Sequence, residues 1–143
     1  ATSCTIPLSE VTVNTANLLL TTVPGGGRRP ERPMRLESRA VLQAPGVPLT
    51  RAPLSRPLGQ LEDEVGVAAF ADPTTTEVIR LPVTDYVRGN IEPADGEDPA
   101  EWLALVALDE RLHFGYGQFA GIASDAPPQL ELVVTIPVRK VDP

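Results

Sequence analysis

Apolar and polar residues alternate in several short runs, which is the pattern of β-strands rather than of amphipathic helices. Runs with alternating, β-branched or continuous apolar character lie at residues 11–13, 18–23, 34–42, 65–70, 74–81, 101–108, 112–116 and 130–138. Glycine, proline, asparagine and aspartate separate these runs at the short spacing of a β-sandwich. The pattern therefore predicts one all-β domain over residues 1–143, a single β-sandwich of jelly-roll type with about eight strands.

The run at residues 101–108 carries the only tryptophan and has no polar residue after Glu101. Seven consecutive apolar residues are typical of a strand that is covered on both faces. The run is therefore predicted to be the central strand, with Trp102 buried as an anchor of the core.

Local patterns predict how other runs are connected and oriented. Residues 14–17 are predicted to form a turn between two strands. Thr84 or Asp85 is predicted to cap a single helical turn that Gly89 ends. The run 34–42 is predicted to divide its faces by charge, with Arg35, Glu37 and Arg39 on one face and Leu36, Ala40 and Leu42 on the other.

The chain of 143 residues contains 16 prolines, and prolines occur every few positions from Pro24 to Pro57. Residues 24–33 and 44–57 are rich in glycine and proline, and residues 1–5 are predicted to be a flexible terminus. Residues 24–33 are predicted to be a flexible, solvated loop. Because proline cannot donate a hydrogen bond to a sheet, residues 44–57 are predicted to be an extended surface crossing or edge. The glycines after Pro24 lack the Gly-Lys-Ser/Thr ending of a phosphate loop.

Charge is divided unevenly along the chain, whose net charge is −7. Residues 1–60 hold seven arginines against three acidic residues (net +4), and residues 61–143 hold five basic against sixteen acidic residues (net −11). The acidic total argues against nucleic-acid binding, which requires clustered positive charge. Arg28, Arg29, Arg32 and Arg35 are instead candidates for contact with the acidic surface of another copy or of a larger partner.

The first residues contain the only cysteine, so the chain cannot form an internal disulfide. Ala1-Thr2-Ser3-Cys4 is similar to the end of a bacterial lipoprotein processing site, which makes Cys4 a candidate for lipidation; the alternative is a free thiol near a frayed terminus. The start at Ala1 indicates either removal of an initiator methionine or cleavage of a leader. No stretch approaches the roughly twenty apolar residues of a membrane span.

The second half resembles a known family in the order of its strands and turns. The elements that carry the resemblance are residues 81–87, an acidic loop, residues 102–106, an aromatic strand holding Phe114, and residues 122–125 and 128–135. This order resembles the closing half of DNRLRE-type, disaggregatase-related β-sandwich domains. The resemblance implies a secreted or surface protein with a structural, adhesive or carbohydrate-associated role.

Catalytic chemistry has few candidate residues. His113 is the only histidine, and a hydrolytic set would need Ser124 with Asp125 or Asp85. Ala-Ser-Asp is not a nucleophile elbow, so the sequence predicts that the protein is not an enzyme. One histidine and one cysteine at opposite ends of the chain also argue against a zinc or copper site.

Two kinds of ligand remain as candidates. Asp95, Glu97 and Asp98 beside Gly96 could bind calcium through oxygen ligands, although acidic loops are more often simply hydrated. Trp102, Tyr86 and Tyr116 could form a platform on which a sugar stacks, against the alternative that Trp102 is buried.

Together these features predict a non-catalytic structural or binding subunit of a larger extracellular or cell-envelope assembly. It would dock through protein–protein contacts, a homo-oligomer being one such assembly, without a required cofactor. A virion decoration protein at the virion surface and a carbohydrate-binding module are the alternatives.

Overall fold

The computed structural model describes residues 5–27, 33–58, 64–66, 72–108 and 116–138, and within these ranges the chain is built mainly of strands. The strands are β1 (Thr12–Thr21), β2 (Met34–Val41), β3 (Leu54–Pro57), β4 (Glu64–Val65), β5 (Val78–Pro82), β6 (Leu103–Ala107) and β7 (Gln129–Thr135). The helices are α1 (Thr84–Ile91) and two short 3₁₀ turns, Leu8–Glu10 and Leu49–Arg51. The all-β prediction is confirmed at this level.

One antiparallel sheet has the strand order β5-β1-β7, so β1 is its central strand. β1 pairs along one side with β5, as in Leu20↔Ile79, and along the other with β7, as in Ala16↔Leu132. Because both edges of β1 are paired, its backbone groups are satisfied by residues that follow it by more than fifty positions.

The predicted turn at residues 14–17 is wrong, because β1 continues through it. The register against β7 shifts between Val13 and Thr15, which is a β-bulge rather than a reversal of the chain. Arg88 of α1 holds this bulge: its Nε donates to the Val13 carbonyl at 2.8 Å and its Nη2 donates to the Asn14 carbonyl at 3.0 Å. The side chain of a distant helix thus satisfies backbone groups at the bulge.

A second antiparallel sheet is centred on β2. β6 pairs with residues 36–40 of β2, while β3 pairs near its C-terminal end and β4 near its N-terminal end. The predicted alternation is confirmed for Leu36 and Ala40, which are buried. Leu42 lies beyond the strand and is exposed, contrary to the prediction.

Glu37 is buried although it lies on the predicted polar face of β2. Its carboxylate forms an ion pair with Arg39, two residues along the same strand. Arg39 also donates through Nη1 to the Ser55 carbonyl of β3 at 3.3 Å. A buried carboxylate needs such a partner, because an unpaired charge away from water is costly.

The predicted central strand at residues 101–108 is β6, which pairs with β2 and with no other described strand. The side chain of Leu105 is 44% exposed and that of Trp102 is 50% exposed. The predictions of a strand covered on both faces and of a buried Trp102 anchor are therefore wrong. A continuous apolar run does not distinguish an edge strand from an interior one, since edge position depends on pairings made elsewhere.

The two sheets share a core. Its main cluster combines Leu20 of β1, Leu36 of β2, Val65 of β4, and Ile79 and Leu81 of β5. A second cluster gathers Val13, Ala16, Val83 and Val87 below α1. The Ser38 hydroxyl, itself buried, donates to the Pro82 carbonyl at 2.6 Å and so joins the second sheet to the first.

The helix is longer than the single capped turn that the sequence predicts. α1 runs from Thr84 through Gly89 to Ile91, and Val83 at its N-cap position makes no side-chain cap. The Thr84 hydroxyl instead accepts from the Ala16 amide of β1 at 3.1 Å. Packing of Val87 against the core outweighs the roughly 1 kcal/mol that an internal glycine costs a helix. No helix of the described residues is long and apolar enough to cross a membrane.

The turn before β5 yields a prediction about acid titration. Oδ1 of Asp72 accepts from the Thr74 hydroxyl at 2.6 Å and from the Thr74 amide at 2.8 Å, and these bonds hold the pKa of Asp72 below its ordinary value. Thr74→Val should raise the pKa of Asp72, measured by carboxyl NMR, whereas Thr76→Val should leave it unchanged.

The sign of the stability effect follows from the lowered pKa of Asp72 in the folded state. The contribution of these bonds is present above the unfolded-state pKa and is lost as pH falls through the folded-state pKa. The stability difference between the wild type and Thr74→Val should therefore shrink in acid. A difference that grows as pH falls would contradict this assignment.

Candidate docking groove

Two adjoining hollows form a groove where β2 ends. The larger, of 610 Å³, lies between a proline-rich wall at residues 41–49 and an acidic wall at residues 98–101. The smaller, of 210 Å³, shares Leu42 and residues 98–100 with the larger and extends to α1. We call the two together the docking groove.

The proline-rich wall forms because the chain leaves the sheet at the end of β2. The Val41 amide donates to the Trp102 carbonyl and the Leu42 amide to the Pro53 carbonyl, both at 2.9 Å. Beyond them the chain turns at Gly46, whose φ of 77° is a conformation that suits glycine. The turn returns Val47 toward the groove, with its amide donating to the Ala44 carbonyl at 3.1 Å.

The acidic wall is held in place by α1. The Asn90 side-chain amide donates to the Ala100 carbonyl at 3.2 Å and to the Tyr86 carbonyl at 2.9 Å. The Tyr86 hydroxyl donates to the Glu101 carbonyl at 3.2 Å. These bonds hold the loop after α1 through its backbone carbonyls. The carboxylates of the loop stay exposed.

The surface of the groove is apolar and its rim is acidic. Leu42, Val47 and Leu49 line the larger hollow with side chains that are 42–47% exposed. The acidic residues that line the two hollows are Asp85, Glu97, Asp98 and Glu101. Among the described residues no lysine or arginine lines either hollow. Such a surface suits a partner segment that is both basic and apolar.

The predicted binding residues are placed in different parts of the molecule. Arg28, Arg29 and Arg32, the lipidation candidate Cys4 and the only histidine, His113, lie outside the described residues. Arg35 lies near the start of β2, away from the groove.

The three aromatic candidates are not all neighbours. Tyr86 lines the smaller hollow, and Trp102 follows Glu101 at the acidic wall. Tyr116 lies beside Gly27 instead: a β-carbon added to Gly27 would overlap the Tyr116 carbonyl oxygen. The structure thus brings Tyr86 to the groove and places Trp102 next to the lining residue Glu101.

The calcium candidates lie in an exposed turn. Gly96 adopts a φ of 80°, and the Glu97 amide donates to the Ala94 carbonyl at 2.9 Å. In the described part of the chain no group of three or more histidine, cysteine, aspartate or glutamate residues is arranged to hold a metal ion. Calcium binding stays a prediction, and Glu97 and Asp98 are placed on the rim of the groove.

Of the residues weighed for hydrolysis, Ser124 donates its hydroxyl to the Gly121 carbonyl at 2.6 Å. Asp85 lies in the first turn of α1 and lines the smaller hollow. Asp125 is exposed. The absence of catalysis stays a prediction.

The residues that sequence reasoning missed are the apolar ones between the prolines. Val47 and Leu49 lie beside Pro45 and Pro48 in a segment that was predicted as an extended surface crossing or edge, and Leu42 was predicted on the apolar face of the run 34–42. Three exposed aliphatic side chains in a proline-rich loop were the available signal, because clustered exposed apolar side chains mark interaction sites.

Comparisons of the chain with protein-family models, curated protein sequences and solved structures found no match. The resemblance to DNRLRE-type domains stays a hypothesis. Function is therefore inferred from the groove and from the distribution of charge.

Proposed function

We propose that the protein is a non-catalytic structural or binding subunit of a larger extracellular or cell-envelope assembly, and that it docks to protein partners through the groove. The observation that carries the proposal is the exposed apolar surface of Leu42, Val47 and Leu49 beneath an acidic rim. An apolar centre with a polar rim is the usual anatomy of a protein–protein interface.

The β-rich fold supports this role. Hydrogen bonds attach the proline-rich wall through the backbone and the acidic wall through side chains of α1, so a partner would meet a surface that needs little ordering. Binding costs less when the surface is already formed. A single jelly-roll sandwich is the architecture we propose for the whole chain. The extracellular or envelope location rests on the resemblance to secreted domains.

Substitution in the groove tests the docking function. Val47→Asp places a carboxylate on the apolar surface, and we expect it to weaken binding to the assembly purified from the native source at least tenfold, about 1.4 kcal/mol. Leu130→Asp is the matched control, because Leu130 is 52% exposed but lies on β7. Surface plasmon resonance measures both variants. Equal binding by Val47→Asp and the wild type would show that the groove is not part of the interface.

Carbohydrate binding is a second candidate, favoured by the exposure of Trp102, which is 50%. An exposed indole can stack on a sugar ring, and such a contact contributes about 0.5–1.5 kcal/mol. Trp102→Ala should then weaken glycan binding roughly threefold to tenfold.

The glycan measurement is a glycan array followed by calorimetry, with circular dichroism to check the fold. Tyr116→Ala is the control, since Tyr116 is 62% exposed and lies beside Gly27 rather than at the groove. Absence of glycan binding by the wild type would rule this function out.

A further inference from the structure

We propose that the docking groove receives the basic segment of a second copy of this chain, which we define as residues 28–33. The sequence of this segment is Arg-Arg-Pro-Glu-Arg-Pro, with three arginines and one glutamate. This inference rests on the proposed docking function and identifies the partner. Three features support it: complementary charge, the chemistry of the segment, and the distance between the segment and the groove of its own chain.

The charges of the two surfaces are opposite. Four carboxylates line the groove, those of Asp85, Glu97, Asp98 and Glu101. None of the four forms a salt bridge with another described residue. Arginine is the cation best matched to such a rim, since its planar guanidinium can donate two parallel hydrogen bonds to a carboxylate.

The prolines of the basic segment suit the apolar surface of the groove. Pro30 and Pro33 favour an extended backbone that loses little entropy when it binds. Extended proline-containing peptides commonly dock in apolar grooves through their rings. Leu42, Val47 and Leu49 offer an aliphatic surface for such rings between the carboxylates.

The basic segment is attached far from the groove of its own chain. The segment leads directly into Met34 at the start of β2, and the groove begins at Ala40 near the end of that strand. Six residue steps along β2 separate Met34 from Ala40, about 20 Å at roughly 3.3 Å per residue.

The other end of the basic segment is attached near the start of β2 as well. Gly27 precedes the segment and lies beside Tyr116 and Gly117. The same region of the chain continues to Phe119, which bridges to Thr22 and, like Met34, packs against the main core cluster. The middle of a six-residue segment held at both ends reaches about 12 Å at most. This reach favours a second copy, rather than the same chain, as the source of the segment that fills a groove.

This arrangement makes the association dependent on salt. Exposed charges are screened over about 10 Å at 0.1 M ionic strength, so self-association should weaken as salt is added. Charge complementarity of this kind also sets the orientation of the copies, with the β2 start of one against the β2 end of the next.

Two charge-reversed variants of the full chain test the proposal. The groove variant carries Asp98→Lys and Glu101→Lys, and the segment variant carries Arg28→Glu and Arg29→Glu. Sedimentation velocity at low salt should show self-association of the wild type and at least tenfold weaker self-association of each variant alone. Arg56→Glu is the control, because Arg56 is exposed on β3 outside the basic segment and should leave association unchanged.

Mixing the two variants gives the decisive result. The groove variant retains its basic segment and the segment variant retains its groove, so the mixture should form a complex of two copies that neither forms alone. Circular dichroism of each variant verifies its fold. A wild type that stays monomeric at low salt, or a mixture that forms no complex, would overturn the proposal.

Failure of this inference differs from failure of the docking function. If the wild type is monomeric but Val47→Asp no longer binds the native assembly, the groove docks another protein, and a second copy is excluded as the partner. If Val47→Asp also binds normally, the groove has no docking role.

Discussion

Leu81→Ala is expected to lower the free energy of unfolding by about 2–5 kcal/mol, the range for a buried leucine truncated in a packed core. The Leu81 side chain is 0% exposed and belongs to the cluster that contains Leu36 of the other sheet. Truncation removes apolar contacts from both sheets at once and leaves a cavity between them. Urea denaturation followed by circular dichroism measures the loss as a lower midpoint with an unchanged slope.

Leu130→Ala is the matched control for the core prediction. Leu130 has the same side chain in a strand of the same sheet but is 52% exposed. Its truncation should cost less than about 1 kcal/mol, since most of its surface already contacts water. An equal loss in the two variants would contradict the assignment of Leu81 to the shared core.

Thr22→Val is expected to cost about 1–3 kcal/mol, although it preserves the shape of the side chain. Thr22 is 1% exposed, and its hydroxyl accepts from the Glu77 amide at 2.9 Å. Valine has no acceptor, so the Glu77 amide would lose its partner at a site beside the core. The side chain of Glu77 also accepts from the Gly66 amide, directly after β4, through Oε2 at 2.8 Å. A shift of Glu77 in Thr22→Val should therefore also shift β4.

Thr22→Ser separates the hydrogen bond from the methyl group. Serine keeps the acceptor and removes one buried methyl, at a cost of about 0.8 kcal/mol. Hydrogen exchange of the Glu77 amide should accelerate in Thr22→Val and stay slow in Thr22→Ser. Equal stability of Thr22→Val and the wild type would show that this hydrogen bond does not contribute.

Sequence patterns were sufficient to locate two strands but not to assign the burial of their faces. β2 lies within the predicted run 34–42, and β7 overlaps the predicted run 130–138. Residues 14–17 were different. Their turn-forming composition is overruled by Arg88, whose hydrogen bonds to Val13 and Asn14 span 75 and 74 residues. No local pattern contains such a contact.

The residues of the groove could be predicted from the sequence, but their meeting could not, again because it depends on contacts between distant residues. The aliphatic residues of the proline-rich wall and the carboxylates of the acidic wall are both visible in the sequence. Their meeting in one groove is not, because it depends on where β2 ends and on bonds from Asn90 and Tyr86 to a loop 10 and 15 residues away. Trp102 was misjudged because aromatic character predicts burial on average and not at a particular edge.

The central position of β1 has a consequence for synthesis of the chain. β1 is made before all of its partners, and the last of them, β7, includes Thr135, which bonds to Asn14 across 121 positions. Closing so long a loop is slow, so folding should be limited by this late pairing. Until then the apolar residues Leu18, Leu19 and Leu20 stay open to other chains. Incomplete chains on the ribosome should therefore aggregate more readily than the finished protein.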